Sequence, residues 1–234
     1  MSWVIFLSGL LFFSSPAQAG GFDHSGWGTL LKEHVRVLDS GEASQVDYAG
    51  LAARRNELRV YLSELSAVRR DEFDLWSTDE QLAFLLNAYN SWTVELILTR
   101  YPDLDSIKDL GSFFQSPWKI RFVTLFGEQV SLDNIEHGMI RGSGRYNDPR
   151  IHFAVNCASI GCPALRPEPY RGPELQHQLD DAMSLFLRDR SRNRLDGKVL
   201  KVSSIFTWYR EDFEQGFRSI DSLEQFFCRP WRGF

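Results

Sequence analysis

With 234 residues, the chain is long enough to bury one sizeable core and short for two domains. Its 43% hydrophobic and 24% charged residues, spread without a biased tract, exclude a disordered or fibrous chain. A formal charge of −5 and the absence of a Lys/Arg run argue against nucleic acid as a partner. The 18 Phe, 7 Trp and 7 Tyr point instead to a thick core or an aromatic-lined cleft.

Residues 1–19, MSWVIFLSGLLFFSSPAQA, differ from the rest. The apolar run 3–13 is too short to cross a bilayer and leads to Ala17-Gln18-Ala19, a small-x-small cleavage pattern. A secretory signal cut after Ala19 is expected, although no Lys or Arg precedes the apolar run. Export to the periplasm or beyond the cell would place Cys157, Cys162 and Cys228 where disulfides persist. An odd count leaves one thiol over: a Cys162–Cys228 bond frees Cys157, whereas a Cys157–Cys162 bond removes it as a nucleophile. Spacing leaves both pairings open.

The mature chain starts with a helical pattern over 27–38, in which His34 is a face residue and His24 lies in the tail before it. A short extended piece at 46–48 and a charged amphipathic helix over 51–68 follow, then a connector at 71–76. Thr78 and Gln81 read as a capping box opening the most hydrophobic helix of the mature chain, 81–100. Asn87 and Asn90 share a face of that helix, where two buried amides require partners. Asn90 reads as structural; Asn87 suits either a structural bond or support of a site. Residues 107–118 read as loop and 119–130 as a hairpin turning near Phe126-Gly127. Ser131 suits the N-cap of a short helix over 132–141 that carries Glu136, His137 and Arg141. A buried strand is expected at 150–156, a proline-rich loop at 163–172, and an amphipathic helix, with His177 on its exposed side, at 173–190. A strand at 199–202, an aromatic, partly helical segment at 205–213 and a helix at 222–227 complete the chain. The fold class is α+β, a single domain, helix-rich in its N-terminal half with a small antiparallel sheet. Residues 20–77 form a helical extension packed on a core domain of 78–234.

The chemistry centres on DPRIHFAVNCASIGCPAL, residues 148–165. A strand ending at Cys157 among small residues suits a thiol at the start of a helical turn, where unpaired N–H groups and the helix dipole favour the thiolate. The plain alternative is a small buried cysteine. A nucleophilic Cys needs a base, usually His, and a group that orients it. On an extended segment His152 would lie roughly 16 Å from Cys157, so His137 is the expected base and His152 a supporting or substrate-side group. Glu136, beside His137 but about 100° away on an ideal helix, is a weak orienting acid; Asn87, Asn156 and a more distant acid are alternatives. The Cys157 N–H and a neighbouring amide suit an oxyanion hole. Arg141 and Arg150 suit a substrate carboxylate, or equally structural ion pairs. His137, His152, Cys157 and Cys162 also make a chemically acceptable zinc set, ranked third because Cys-x4-Cys-Pro fits structural zinc knuckles poorly.

Four ordered motifs, LAFLLNAYN (82–90), SLDNIEHGMIR (131–141), the 148–165 segment and SSIFTWYREDF (203–213), resemble the domain of unknown function family numbered 547. The resemblance covers roughly 78–213. It implies a relative of papain- and transglutaminase-like thiol enzymes, circularly permuted so that His precedes Cys. It also implies Cys157 as nucleophile and His137 as base, with Glu136, His152 and Asn87 in the polar surroundings. The expected function is an exported cysteine hydrolase or transferase acting on a peptide, isopeptide or glutathione-like amide. No cofactor or metal, no nucleic acid and no stable membrane insertion after cleavage are expected, and no oligomeric state is assigned. The alternative class is a non-catalytic envelope protein that binds a peptide or protein, with a metal-binding module behind it.

Overall fold

The computed structural model describes residues 21–38, 41–112, 114–159 and 161–229; the expected signal at 1–19 lies outside the described residues. Helix α1 (Ser25–His34) gives way to β1 (Val35–Val37), which pairs antiparallel with β2 (Ser44–Val46). The helix expected to reach residue 38 therefore stops at His34, where Val35-Arg36-Val37 favours a pleated strand. His24 is no tail residue: it is buried, with Nδ1 2.7 Å from the Tyr61 hydroxyl. Asp47 caps α2 (Tyr48–Ala53) by accepting the Gly50 N–H, and α3 (Arg55–Ala67) and the short α4 (Arg70–Phe73) follow.

Helix α5 (Thr78–Leu98) is the axis of the molecule. It is buried on nearly every side from Gln81 to Leu98, and α3, α6 and the turn before α6 all pack on it. Its cap is set one residue earlier than expected. Ser77 Oγ accepts the Glu80 N–H at 3.2 Å while Glu80 returns a bond to the Ser77 N–H at 3.1 Å. Gln81 is excluded from the box because its buried amide turns back to the carbonyls of Phe73 and Trp76, each at 3.1 Å. Ser77→Ala should therefore cost about 1 kcal/mol in chemical denaturation and Thr78→Ala close to nothing.

Beyond α5 come 3₁₀ turns at Ile107–Leu110 and Pro117–Lys119, then the hairpin β3 (Val123–Leu125) and β4 (Glu128–Val130). Its two-residue turn is Phe126-Gly127, with φ of 55° and 79°. The Phe126 ring is held there by Phe73, 4.8 Å away between centroids. Ser131 and Asn134 cap each other as the chain enters a π-helical turn, Asn134–Ile140, continued by a 3₁₀ turn from Arg141 to Ser143.

The strand expected at 150–156 is absent; Pro149–Phe153 form a 3₁₀ helix. Asp148 accepts the Arg150 N–H at 2.9 Å, and Pro149 occupies the first helical position, a start signal that outweighs the β-branched composition downstream. Helix α6 (Leu175–Arg188) leads to the hairpin of β5 (Arg194–Asp196) and β6 (Val199–Lys201), then α7 (Ile205–Trp208), α8 (Arg210–Phe213) and α9 (Leu223–Cys228).

The chain is thus α+β, but its small antiparallel sheet is realised, among the described residues, as three separate two-stranded pairs. One core runs from Trp27 and Leu30 through α3 and α5 to Leu179, so residues before 78 share their packing with the rest. A second, aromatic core gathers Phe153, Phe186, Phe206, Phe213 and Phe226 around α6–α9. Phe153, one residue after His152, ties that core to the 3₁₀ helix.

Candidate functional site

Three elements converge on one polar cluster. The π-helical turn supplies Glu136 and His137, with Arg141 just beyond it; the 3₁₀ helix supplies His152; Tyr209 sits at the junction of α7 and α8, and α8 supplies Asp212. Asp212 is the hub. His152 Nε2 lies 2.6 Å from Asp212 Oδ2, and Arg141 grips the same carboxylate with Nε at 2.6 Å and Nη2 at 3.0 Å. Burial raises the carboxyl's affinity for a proton, but the bonds and charges of His152 and Arg141 outweigh it and hold Asp212 well below the usual carboxylate range.

His152 is 2% exposed and its ring stacks on Tyr209 at 3.9 Å. Burial pushes the imidazole below its ordinary value, and Asp212 opposes that shift without cancelling it. The neutral ring therefore carries its proton on Nε2, facing Asp212, while Nδ1 is buried without a hydrogen-bond partner. Tyr209 donates its hydroxyl to Glu136 Oε1 at 3.0 Å and lies beneath the Arg141 guanidinium at 4.8 Å. Its phenol is pushed well up by burial and by the Glu136 carboxylate, as is that of Tyr89, on the buried side of α5.

His137 occupies a different position. Arg141 Nη1 lies 3.0 Å from His137 Nδ1, and a guanidinium can only donate, so this bond occupies the lone pair that a base would use. Glu136 Oε1 is 4.0 Å from the same nitrogen.

The cysteine loop is held from α5. Asn90 donates to the Ala154 carbonyl at 3.0 Å and accepts the Asn156 N–H at 2.8 Å. Asn156 then donates to the Pro163 carbonyl at 2.7 Å and accepts the Ala158 N–H at 2.9 Å, closing the loop across its neck. Asn87 serves the Tyr170 backbone in the same double manner, at 2.7 and 3.0 Å. Among the described residues no helix starts at Cys157, so the expected dipole effect is lost. The Asn156 bonds and the left-handed Ala158 (φ 55°) curl the backbone into a loop instead.

Within that loop Cys157 is bonded to Cys162, with α-carbons 5.9 Å apart, and Ser159 Oγ lies 3.6 and 3.2 Å from the two sulfurs. Cys228 is free and exposed. This is the pairing in which Cys157 is not a nucleophile until the bond is reduced. It also withdraws both sulfurs from the zinc set. Among the described residues no group of three or more His, Cys, Asp or Glu side chains is placed to hold a metal.

Neither arginine expected to take a substrate carboxylate is open to one. Arg141 is committed to Asp212 and His137. Arg150, 2% exposed, bonds Asp148, Asp180 and Gln176 and pins the 3₁₀ helix to α6. Of the residues expected at the site, Glu136, His137, Arg141 and His152 come together. Asn87, Asn156 and Arg150 serve the backbone and ion pairs around them. Sequence reasoning passed over Asp212 and Tyr209. The available signal was their spacing, three apart, in a segment otherwise rich in aromatics.

A single α+β domain with a partly buried His–Asp–Arg–Tyr–Glu cluster and a disulfide-closed loop is what the geometry defines. Residues 73–187 match the model of the family described as "Protein of unknown function, DUF547", and over these residues the chain belongs to that family. The match takes in Glu136, His137, His152 and both cysteines of the loop; the 203–213 segment, with Tyr209 and Asp212, lies outside it. No curated protein and no solved structure matches the chain.

Proposed function

We propose that the protein is an exported thiol hydrolase or transferase acting on an amide bond, with Cys157 as nucleophile in its reduced form and His152 as the acid–base group. One observation carries this reading: a buried imidazole fixed by a carboxylate at 2.6 Å, with its other nitrogen unpartnered, is the base-and-orienter pair that a thiol nucleophile requires. The distance objection to His152 rested on an extended strand, and the segment is a 3₁₀ helix followed by a clamped loop. His137, its Nδ1 occupied by Arg141, takes a flanking role.

In this reading a dithiol reductant opens the Cys157–Cys162 bond and becomes the disulfide. His152 Nδ1 takes the Cys157 proton, and the thiolate attacks the amide carbonyl. Backbone N–H groups stabilise the oxyanion, and the imidazolium returns its proton to the departing amine. Water or a second amine then releases the acyl group and restores the thiol. Peptides, isopeptides and glutathione-like amides are the substrate class, and a permuted papain- or transglutaminase-like ancestry belongs to the same proposal. The Cys157–Cys162 bond supports export, since such bonds persist in oxidising compartments. It also favours a second reading, in which the bond is a structural staple of a peptide-binding protein.

The rate of Cys157 alkylation against pH, after mild reduction of the folded protein, separates the two. Reaction well below the ordinary thiol value of about 8.5, shifted upward in His152→Ala and unchanged in His137→Ala, is expected. The opposite pattern would move the base to His137. A thiol that alkylates only once the protein is unfolded would leave the staple reading.

A further inference from the structure

Residues 190–201, RSRNRLDGKVLK, run against the acidic character of the chain: five are basic and only Asp196 is acidic, in a protein of formal charge −5. The structure makes this stretch a projecting hairpin, β5–β6, turning at Gly197 (φ 62°). All six strand residues are exposed, so neither face is covered. The apolar ones are among the most exposed of their kind in the chain, Leu195 at 68% and Val199 at 62%, beyond what a hairpin that merely closes a loop requires.

The base of the hairpin, by contrast, is fixed. Buried Asn193 donates to the Phe186 carbonyl at 2.7 Å and accepts the Ser203 N–H at 3.1 Å. Register places Leu195 opposite Leu200 on one face. On the other face Arg194 stands directly opposite Lys201, a like-charge pair that destabilises an isolated hairpin and is relieved by an anionic surface. Asp196 answers only part of it, through Lys201. Seven residues beyond the hairpin, at the end of α7, Trp208 is 71% exposed.

From these features we infer that the β5–β6 hairpin docks the protein on an anionic membrane surface. Lysine and arginine would meet lipid phosphates while the tip of the hairpin, with Leu195 on one face and Val199 on the other, and Trp208 enter the headgroup layer. Exposed aliphatic side chains interleaved with cations, with an exposed indole seven residues on, fit a bilayer interface better than a purely polar acidic protein. The docking is peripheral: among the described residues no helix is long and apolar enough to cross a membrane. The inference does not depend on the chemistry of Cys157.

Co-sedimentation of the full chain with phosphatidylcholine vesicles, with and without phosphatidylglycerol, tests it. Binding to the anionic vesicles alone, weakened by high salt, is expected. Lys198→Glu with Lys201→Glu should lower it at least about tenfold. Leu195→Ser with Val199→Ser should lower it while leaving the salt dependence in place. All four positions are exposed, and an unchanged thermal midpoint confirms that each variant is folded. Equal binding to both vesicle types would overturn the inference, as would binding that the hairpin variants leave unchanged. Binding of soluble polyglutamate with none to vesicles would overturn it in favour of an acidic protein partner.

Discussion

Asp212→Asn should lower stability by about 3 kcal/mol, because it leaves the partly buried Arg141 cation and the buried His152 Nε2–H without their carboxylate. The variant should also change the shape of stability against pH. Asp212 has a depressed value in the folded state, so its contribution is present above the unfolded value of about 4 and is lost as pH falls towards the folded one. Wild type should therefore carry an acid limb below about pH 4 that is steeper than the variant's, since Asp74, Asp180 and Glu214 are also held low and remain in both forms. A second slope belongs to the buried histidines. Burial holds His24 near about 3 and His152 below its ordinary value, so between those values and about 6.5 the unfolded chain binds protons that the native one does not. Both forms should lose stability as pH drops below about 6.5, and wild type should steepen more than the variant lower down. Urea melts across this range check both parts. An unaltered acid limb in Asp212→Asn would place the dominant acid-sensitive group elsewhere.

The second large effect is expected at Asn90. Asn90→Ala removes two buried bonds and strands the Ala154 carbonyl and the Asn156 N–H, for a loss of about 3 kcal/mol. Asn87→Ala strands the Tyr170 backbone in the same way and should cost a similar amount. The two differ in what they loosen. Only Asn90 holds the neck of the cysteine loop, so Asn90→Ala should also make the Cys157–Cys162 bond easier to reduce, whereas Asn87→Ala should leave it unchanged. Thiol titration of the folded proteins at graded reductant distinguishes them. Equal reducibility in both variants would show that the loop holds its shape without α5.

Much of the architecture was legible because it rests on periodicity and punctuation. The continuous apolar run of α5, the Phe126-Gly127 turn and the amphipathic pattern of α6 each have one reading, and the structure has them. The failures have a common cause. Helical spacing carries the 27–38 pattern across Val35–Val37, and side-chain preference makes residues 150–156 a strand, whereas the backbone is decided by tertiary pairing with β2 in one case and by the Asp148-Pro149 start signal in the other. The second difference bears on the chemistry, since an extended segment would hold His152 roughly 16 Å from Cys157 and a 3₁₀ helix does not.

Asp212 could not be placed by spacing, since it meets His152 and Arg141 only because α7 and α8 fold back over the π-helical turn through the Phe153–Phe213 aromatic core. The choice among cysteine pairings lay equally beyond spacing. It depended on Asn156 drawing Pro163 back to the start of the loop.

The account stands on His152 being a buried, neutral imidazole with Nε2–H directed at Asp212 and Nδ1 free. Nitrogen-detected NMR of the histidine ring, titrated in the folded protein, reads tautomer and protonation together. The expected result is an Nε2–H ring that resists protonation until the pH is well below about 6.5, with the tautomer preference lost in Asp212→Asn. A ring protonated on Nδ1 at neutral pH, or one that titrates at or above the ordinary histidine value, would contradict the account.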